Sequence, residues 1–447
     1  MPDSELPGKP DSARTPSKQS VQGGVELEME GADYFEKRQL EKGVAGWVLL
    51  AGLGVAYVIS GDFAGWNFGL AQGGWGGLLI ATIVMAIMYL FMVFGLAELS
   101  STISTTGGGY AFARRAMGPW GGFMTGTAIL IEYAIAPAAI ANFIGAYVNS
   151  LIGLDGWYVY LLFYAIFIGL HLYGVGEALK FMFVITAIAV FALVVFVIAA
   201  LLKFDPANLN NIPVDPAAVG ATSFLPFGVL GIWASIPYAI WFFLAVEGVP
   251  LAAEESKNPA KDMPRGIIGA MVALIVFAGT ILIVAPGAAG SNFLKESGNP
   301  LVEALEAPTA YGGQNLVSGF INVVGLLGLI ASFFSIIYAY SRQTFALSRA
   351  GYLPKILSVT GSRKTPTLAL IVPGVIGFVM AVLNQGDLLI LVAVFGATMS
   401  YIMMCASHIV LRFKEPDLER PYRTPGGIVT TGIALVLAVV ALIAGFL

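Results

Sequence analysis

Three carboxylic acids stand inside apolar runs: Asp62 in "YVISGDFAGWNFGLA" (57–71), Glu132 in "ILIEYAIAPAAIANF" (129–143) and Glu247 in "WFFLAVEGVP" (241–250). No Lys or Arg accompanies them within those runs. An ionised acid at mid-membrane costs about 2.5–3.5 kcal/mol, so each needs a counter-charge, and an ammonium group or a proton is the natural one. Asp62 admits two compatible readings. It caps a half-helix starting near Phe63 by accepting its free N–H groups, or it pairs with a cationic substrate. Glu247 reads as a functional acid, and Glu132 either as a second one or as a neutral buried group. Aromatic side chains flank two of the acids: Tyr57, Phe63 and Trp66 beside Asp62, and Trp241, Phe242 and Phe243 before Glu247. Such rings can close over an ammonium by cation–π contact.

The small residues around these acids give the second signal. Ser60, Gly61, Gly65 and Gly69 interrupt the first run, and Gly248 and Pro250 interrupt the second. Unwound backbone is tolerated in a membrane only where it lines a cavity or binds something. The expectation is that Gly61, Gly65 and Gly69 relax the first segment, that Gly248 is the flexible position of the second, and that Pro250 opens the following half-helix.

Other chemistry is absent from the sequence. No Ser/His/Asp, paired-carboxylate or metal-ligand constellation emerges, so neither an enzyme nor a bound cofactor is expected. The single Cys405 and the two histidines, His171 and His408, lie in apolar runs and read as packing groups. The stretch "TTGGGYAFARRAMG" (105–118) lacks the GK[ST] of a phosphate loop and reads as an interfacial loop or short amphipathic helix. Glu98, Glu254 and Glu255 fall at helix ends and are expected to be solvated and structural.

The elements that must position these residues follow from composition. Of 447 residues, 57% are hydrophobic and only 11% charged, against about a quarter charged in a soluble domain. Mean hydropathy is +0.83. The class is an all-α polytopic membrane protein, with no nucleic acid and no obligate protein partner expected. A span needs roughly 20 apolar residues. Eleven runs qualify, at 44–71, 76–103, 121–152, 157–173, 178–202, 226–255, 266–289, 316–341, 367–384, 387–411 and 427–447. The polar residues 1–42 read as a disordered cytoplasmic tail. With that tail inside, 21 of the 23 Lys and Arg residues fall on the cytoplasmic side, and only Lys203 and Lys295 lie outside. The protein is therefore expected in the cell membrane with its N-terminus in the cytoplasm.

The two interrupted spans are the first and the sixth, so they cross the membrane in opposite directions. Paired broken helices in corresponding positions of two inverted halves point to a transporter site. The expected organisation is a first five-helix repeat over 43–202, an extracellular loop at 203–225, a second repeat over 226–411, and a cytoplasmic loop with an eleventh helix at 412–447.

The chain resembles the amino acid–polyamine–organocation transporters, with their LeuT-type 5+5 inverted repeat. The resemblance is carried by "SGDF" in the first span, "GGGYAFARRAMG" after the second, "WFFLAVEGVPLAAEESKNPAKDMPRGI" (241–267) and "AYSRQTFALSRAGYLP" (339–354). Within that family, "SGDFAGWNFG" and "EYAIAPAAIANFIG" look like bacterial ethanolamine permeases. The resemblance implies a substrate held between the two breaks. Ser60, Gly61, Asp62, Phe63 and Trp66 would form one wall, and Trp241, Phe242, Phe243, Glu247 and Gly248 the other, with Glu132 and Tyr133 close by. It further implies alternating-access import of ethanolamine or a similar small primary amine, or alternatively of small neutral or cationic amino acids. Relatives that carry amino acids usually have an apolar residue where Asp62 stands. Ethanolamine is serine without its carboxylate, and Asp62 would fill the place so vacated. Protons are the expected coupling ion, with sodium open through Ser332 and Ser335. Relatives commonly have twelve helices, so the resemblance also implies one more beyond the eleventh. Some carry a functional lysine deep in the fifth helix. Lys180 lies at the start of that helix, and the role is not transferred to it.

Overall fold

The computed structural model describes residues 20–22, 25–27, 43, 45–103, 107–173, 175–361, 365–383 and 385–446, with the side chains of 20–22, 25–27 and 175–180 left aside. Most of the tail expected at 1–42, and the side chain of Lys180, lie outside the described residues. Within the tail, Ser20–Gln22 pairs antiparallel with Val25–Leu27.

All eleven expected spans are helical. The first becomes α1 (Trp47–Val58) and the single turn α2 (Ser60–Phe63). There follow α3 (Phe68–Thr102), α4 (Gly108–Ile152), α5 (Trp157–Tyr173), α6 (Val175–Leu201) and α7 (Gly228–Trp241). A 3₁₀ segment, Val246–Glu255, continues the sixth span, and α8 (Pro259–Ala289) is the seventh. Two short helices, α9 (Ser291–Leu294) and α10 (Pro300–Glu306), precede α11 (Leu316–Arg349), α12 (Thr367–Leu383), α13 (Gly386–Lys414) and α14 (Ile428–Ala444). Two of these helices contain sharp bends. α3 bends at Gly74 (φ 69°), which separates the end of the first span from the second. α4 bends at Gly118 (φ 80°), so 108–117 is a short helix ahead of the third span, one of the two forms expected there.

α4 is the central post. α13 and α11 both pack along it, while α3 lies against α7 and α8 and α1 against α8. The buried surface is rich in small residues that let helices approach closely: Gly396 of α13 faces the Ala128 carbonyl, where an added Cβ would sit at 2.7 Å. Outward faces carry Ile, Leu, Val and Phe, as at Ile83, Phe191, Leu230 and Val436, which suits contact with lipid tails.

Two of the three acids expected to be solvated at helix ends are not. Glu98 and Glu255 are almost wholly buried, because arginines remote in sequence reach them. Glu98 receives Arg412 at 2.6 Å, Arg420 at 3.0 Å and the Thr424 amide at 2.7 Å, with His408 Nε2 at 3.3 Å. Glu254, partly buried, pairs with Arg349 at 3.3 Å. His408 thus joins α13 to Glu98, and its Nδ1 meets Thr431 on α14 at 3.0 Å. His171 packs on Phe334 with ring centroids 4.0 Å apart.

Candidate functional site

The first break falls later than the small residues alone suggest. Ser60, Gly61 and Asp62 stay within the helical turn α2, and the chain unwinds at Ala64 (φ −161°, ψ 160°) and Gly65 (φ +94°). Distant groups decide this position by taking the freed carbonyls. Tyr147 donates to the Phe63 oxygen at 3.1 Å, and Trp241 Nε1 donates to the Ala64 oxygen at 2.9 Å. Asn67 accepts from the Gly65 amide at 3.2 Å, and its own amide donates to Leu294 and Ser297 carbonyls, each at 2.8 Å. Ser332 of α11 donates to the Tyr57 carbonyl at 2.5 Å and meets Ser60 Oγ at 2.8 Å. Ser335 does not reach the first break; its hydroxyl bonds to the Ala331 oxygen of its own helix and to Met182 Sδ of α6.

In the second break the left-handed residue is Ala245 (φ 79°), not Gly248. A non-glycine residue held there is strained and persists only where its surroundings over-determine it. Gly248 serves close approach instead: an added Cβ would lie 2.9 Å from the Tyr57 ring and 3.1 Å from Tyr133 Oη. Pro250 sits midway along the 3₁₀ segment rather than in its first turn.

The two breaks pack directly on one another. A Cβ on Gly61 would sit 2.5 Å from the Trp241 carbonyl oxygen, so only glycine allows this approach. Trp66 stacks on Phe242 with centroids 5.7 Å apart and planes 21° apart. Phe63 turns toward α11, against Gly325 and Gly328. Phe243 packs on Tyr89 at 5.4 Å. The two breaks therefore meet at Gly61, Trp66, Trp241 and Phe242, while Phe63 packs against α11 and the Phe243 ring lies between those of Phe242, at 6.3 Å, and Tyr89.

The acids divide into two groups. Asp62 is fully buried and neither carboxyl oxygen accepts a hydrogen bond from the described residues. It caps nothing: α2 has no side-chain cap, and Asp62 lies inside the turn rather than before a helix. Glu132 and Glu247, both buried, act on one another and on Tyr89 and Tyr401. Tyr133 donates to Glu247 Oε1 at 3.0 Å, Tyr89 donates to Tyr401 at 2.8 Å, and both Glu132 oxygens and Glu247 Oε2 lack a donor among the described residues. None of the three acids pairs with Lys or Arg among the described residues.

A buried carboxylate without a partner is costly. The arrangement is suited to holding positive charge at two separate points, an isolated acid in the first break and a two-carboxyl, tyrosine-lined cluster between α4 and the 3₁₀ segment. Tyr89, Tyr147 and Tyr401 escape a reading of sequence alone, since a tyrosine in an apolar run is indistinguishable there from an interface anchor. Among the described residues no group of three or more His, Cys, Asp or Glu side chains gathers as a metal site. A vestibule of ≈ 370 Å³ is lined by Phe68, Ala71, Asn142, Tyr238, Lys295 and Asp387 among others.

Comparison with known proteins agrees with this architecture. Residues 47–447 match the amino acid permease family. A transporter of uncharacterised activity from Rhizobium meliloti (strain 1021) is 28% identical over 88% of this chain and 85% of its own length. A branched-chain amino acid permease of Bacillus subtilis (strain 168) is 26% identical over 80% of this chain and 78% of its own. A methylthioribose transporter from the same organism is 29% identical, covering 83% and 79%.

Proposed function

This chain belongs to the amino acid permease family of the amino acid–polyamine–organocation transporters, and from that premise we propose that it imports ethanolamine or a similar small primary amine. It is a multi-pass membrane transporter and not an enzyme. The observation that carries the cargo assignment is Asp62, a buried carboxylate with no hydrogen-bond donor and no cation of its own among the described residues. A primary ammonium supplies both, with three N–H donors and one positive charge. Amino acid cargo brings its own carboxylate, which a fixed negative group at this break repels. Trp66 and Phe242 offer the aromatic surface that would cover the cation.

The working cycle is alternating access between two inverted five-helix halves, with the N-terminus cytoplasmic as the Lys and Arg distribution favours. Glu132 and Glu247 are the coupling element in this reading. Two neighbouring carboxyls without a cation cannot both stay ionised in a dry interior, so they take up and release protons as the site is alternately wetted and closed. Sodium is the lesser reading, because Ser332 already bridges Ser60 and the Tyr57 carbonyl.

A second reading has support in the relatives' names. Branched-chain amino acid permeases and a cationic amino acid transporter are among the similar proteins, so carriage of small amino acids is the alternative. Purified protein in liposomes separates the two. Uptake of labelled ethanolamine is competed by unlabelled ethanolamine and spared by serine and alanine if the amine reading holds. Strong inhibition by the zwitterions, with none by amines, would reject it. The same vesicles given a pH jump and, separately, a sodium jump identify the coupling ion.

A further inference from the structure

We propose that the indole N–H of Trp66 reads an oxygen on the cargo's second carbon, so that the site selects 2-amino alcohols from alkylamines of the same size. This selectivity rests on the amine reading proposed above and narrows it. Trp66 lies in the unwound stretch between α2 and α3, four positions after Asp62, and is fully buried. Its Nε1 meets no acceptor among the described residues. An indole N–H can only donate, and a buried one usually has a partner. Left dry and unpaired, it keeps the full desolvation cost of the group.

Three neighbouring donors are already engaged. Trp241 Nε1 donates to the Ala64 carbonyl at 2.9 Å, Tyr147 to the Phe63 carbonyl at 3.1 Å and Tyr133 to Glu247 at 3.0 Å. Tyr57 Oη also lacks a partner among the described residues, but its ring lies against Gly248 beside Tyr133 Oη, on the side of the Glu247 cluster. Nor does Trp66 direct its N–H into the Phe242 ring. The two planes are only 21° apart, so an N–H lying in the indole plane runs alongside that ring rather than into its face.

Asp62 and this N–H converge on Phe242. The backbone of Gly61, the residue before Asp62, lies so close that an added Cβ would meet the Phe242 Cα at 3.2 Å, and the Trp66 ring stacks on the Phe242 ring. The first break thus offers a carboxylate for an ammonium and a neutral donor for an oxygen. A 2-amino alcohol carries both complements, two carbons apart. A methyl group in place of its hydroxyl leaves the N–H buried and unpaired. Sites built to hydrogen-bond a hydroxyl reject the analogue lacking it for this reason.

Calorimetric titration of the purified full chain with ethanolamine and with propylamine, which places a methyl where the hydroxyl stands, tests this. The parent should bind ethanolamine about 10–100 times more tightly than propylamine. Trp66→Phe keeps an aromatic ring and removes the N–H. It should weaken ethanolamine by that same factor, leave propylamine near its parental affinity, and so erase the preference. A purely structural role for Trp66 would weaken both amines together and overturn the proposal. If the parent binds neither amine, the cargo reading fails and the hydroxyl role falls with it. Equal affinity for both amines in the parent, or a preference that survives in Trp66→Phe, would overturn the hydroxyl role alone. If Trp66→Phe does not fold, a structure of the parent with ethanolamine decides. The hydroxyl oxygen is expected within hydrogen-bond distance of Trp66 Nε1, and an oxygen bonded elsewhere refutes the proposal.

Discussion

Replacing Asp62 by asparagine keeps the volume of the side chain and removes its charge. The carboxylate is fully buried and, among the described residues, accepts no hydrogen bond and has no cation beside it. Its whole contribution to binding is thus the charge-assisted contact to an incoming ammonium. Hydrogen bonds to charged groups contribute about 1.5–3 kcal/mol, and stripping one partner from a buried pair costs about 3–5 kcal/mol. Taking about 3 kcal/mol, at 1.4 kcal/mol per factor of ten, the Kd for ethanolamine should rise about a hundredfold. The unliganded variant should meanwhile be no less stable than its parent, since no protein–protein bond to Asp62 is lost. Calorimetric titration with ethanolamine and thermal unfolding without it test both halves. Parental affinity would refute the cargo role. A large fall in the unliganded Tm would show instead that Asp62 holds the fold through contacts of its own.

Other perturbations probe the remaining geometry. Gly61→Ala puts a Cβ 2.5 Å from the Trp241 oxygen; overpacking of this kind costs about 1–3 kcal/mol, so a lower Tm and lost uptake are expected, and parental values for both would contradict the contact of the breaks. Tyr133→Phe removes the 3.0 Å bond to Glu247; the pH at half-maximal uptake should move while ethanolamine affinity stays near parental, and an unmoved pH profile would dissociate Glu247 from coupling. At the surface, Arg115 grips Glu415 through two bonds of 3.0 and 2.6 Å and holds its carboxyl below the usual range. A carboxyl lowered on folding stabilises above its ordinary pKa, and that stability is lost as pH falls through the lowered value. Arg115→Ala should therefore lower stability by at most about 1 kcal/mol at neutral pH. The difference should shrink in high salt and in acid, and a gap that persisted in acid would contradict the assignment.

The spans were legible because hydrocarbon thickness imposes a local length on each apolar run, and every expected run became helix. The positions of the breaks were not fully legible. Small residues permit unwinding anywhere between Ser60 and Gly69, but Tyr147, Trp241 and Asn67 choose Ala64 and Gly65 by bonding the freed groups. Likewise Ala245, not the expected Gly248, takes the left-handed conformation. The three orphan acids were visible as charges without neighbours. Their division into an isolated Asp62 and a Glu132–Glu247 cluster depends on how α4 meets the sixth span, which no stretch of sequence records. Burial of Glu98 and Glu255 was missed for the same reason, since Arg412, Arg420 and Arg342 lie far along the chain.

The position of the bound amine tests the central claim most directly. A structure of the protein with ethanolamine should contain the ammonium nitrogen within hydrogen-bond distance of an Asp62 oxygen, beside Trp66 and Phe242. An amine resolved elsewhere, with Asp62 still unpartnered, would contradict the account.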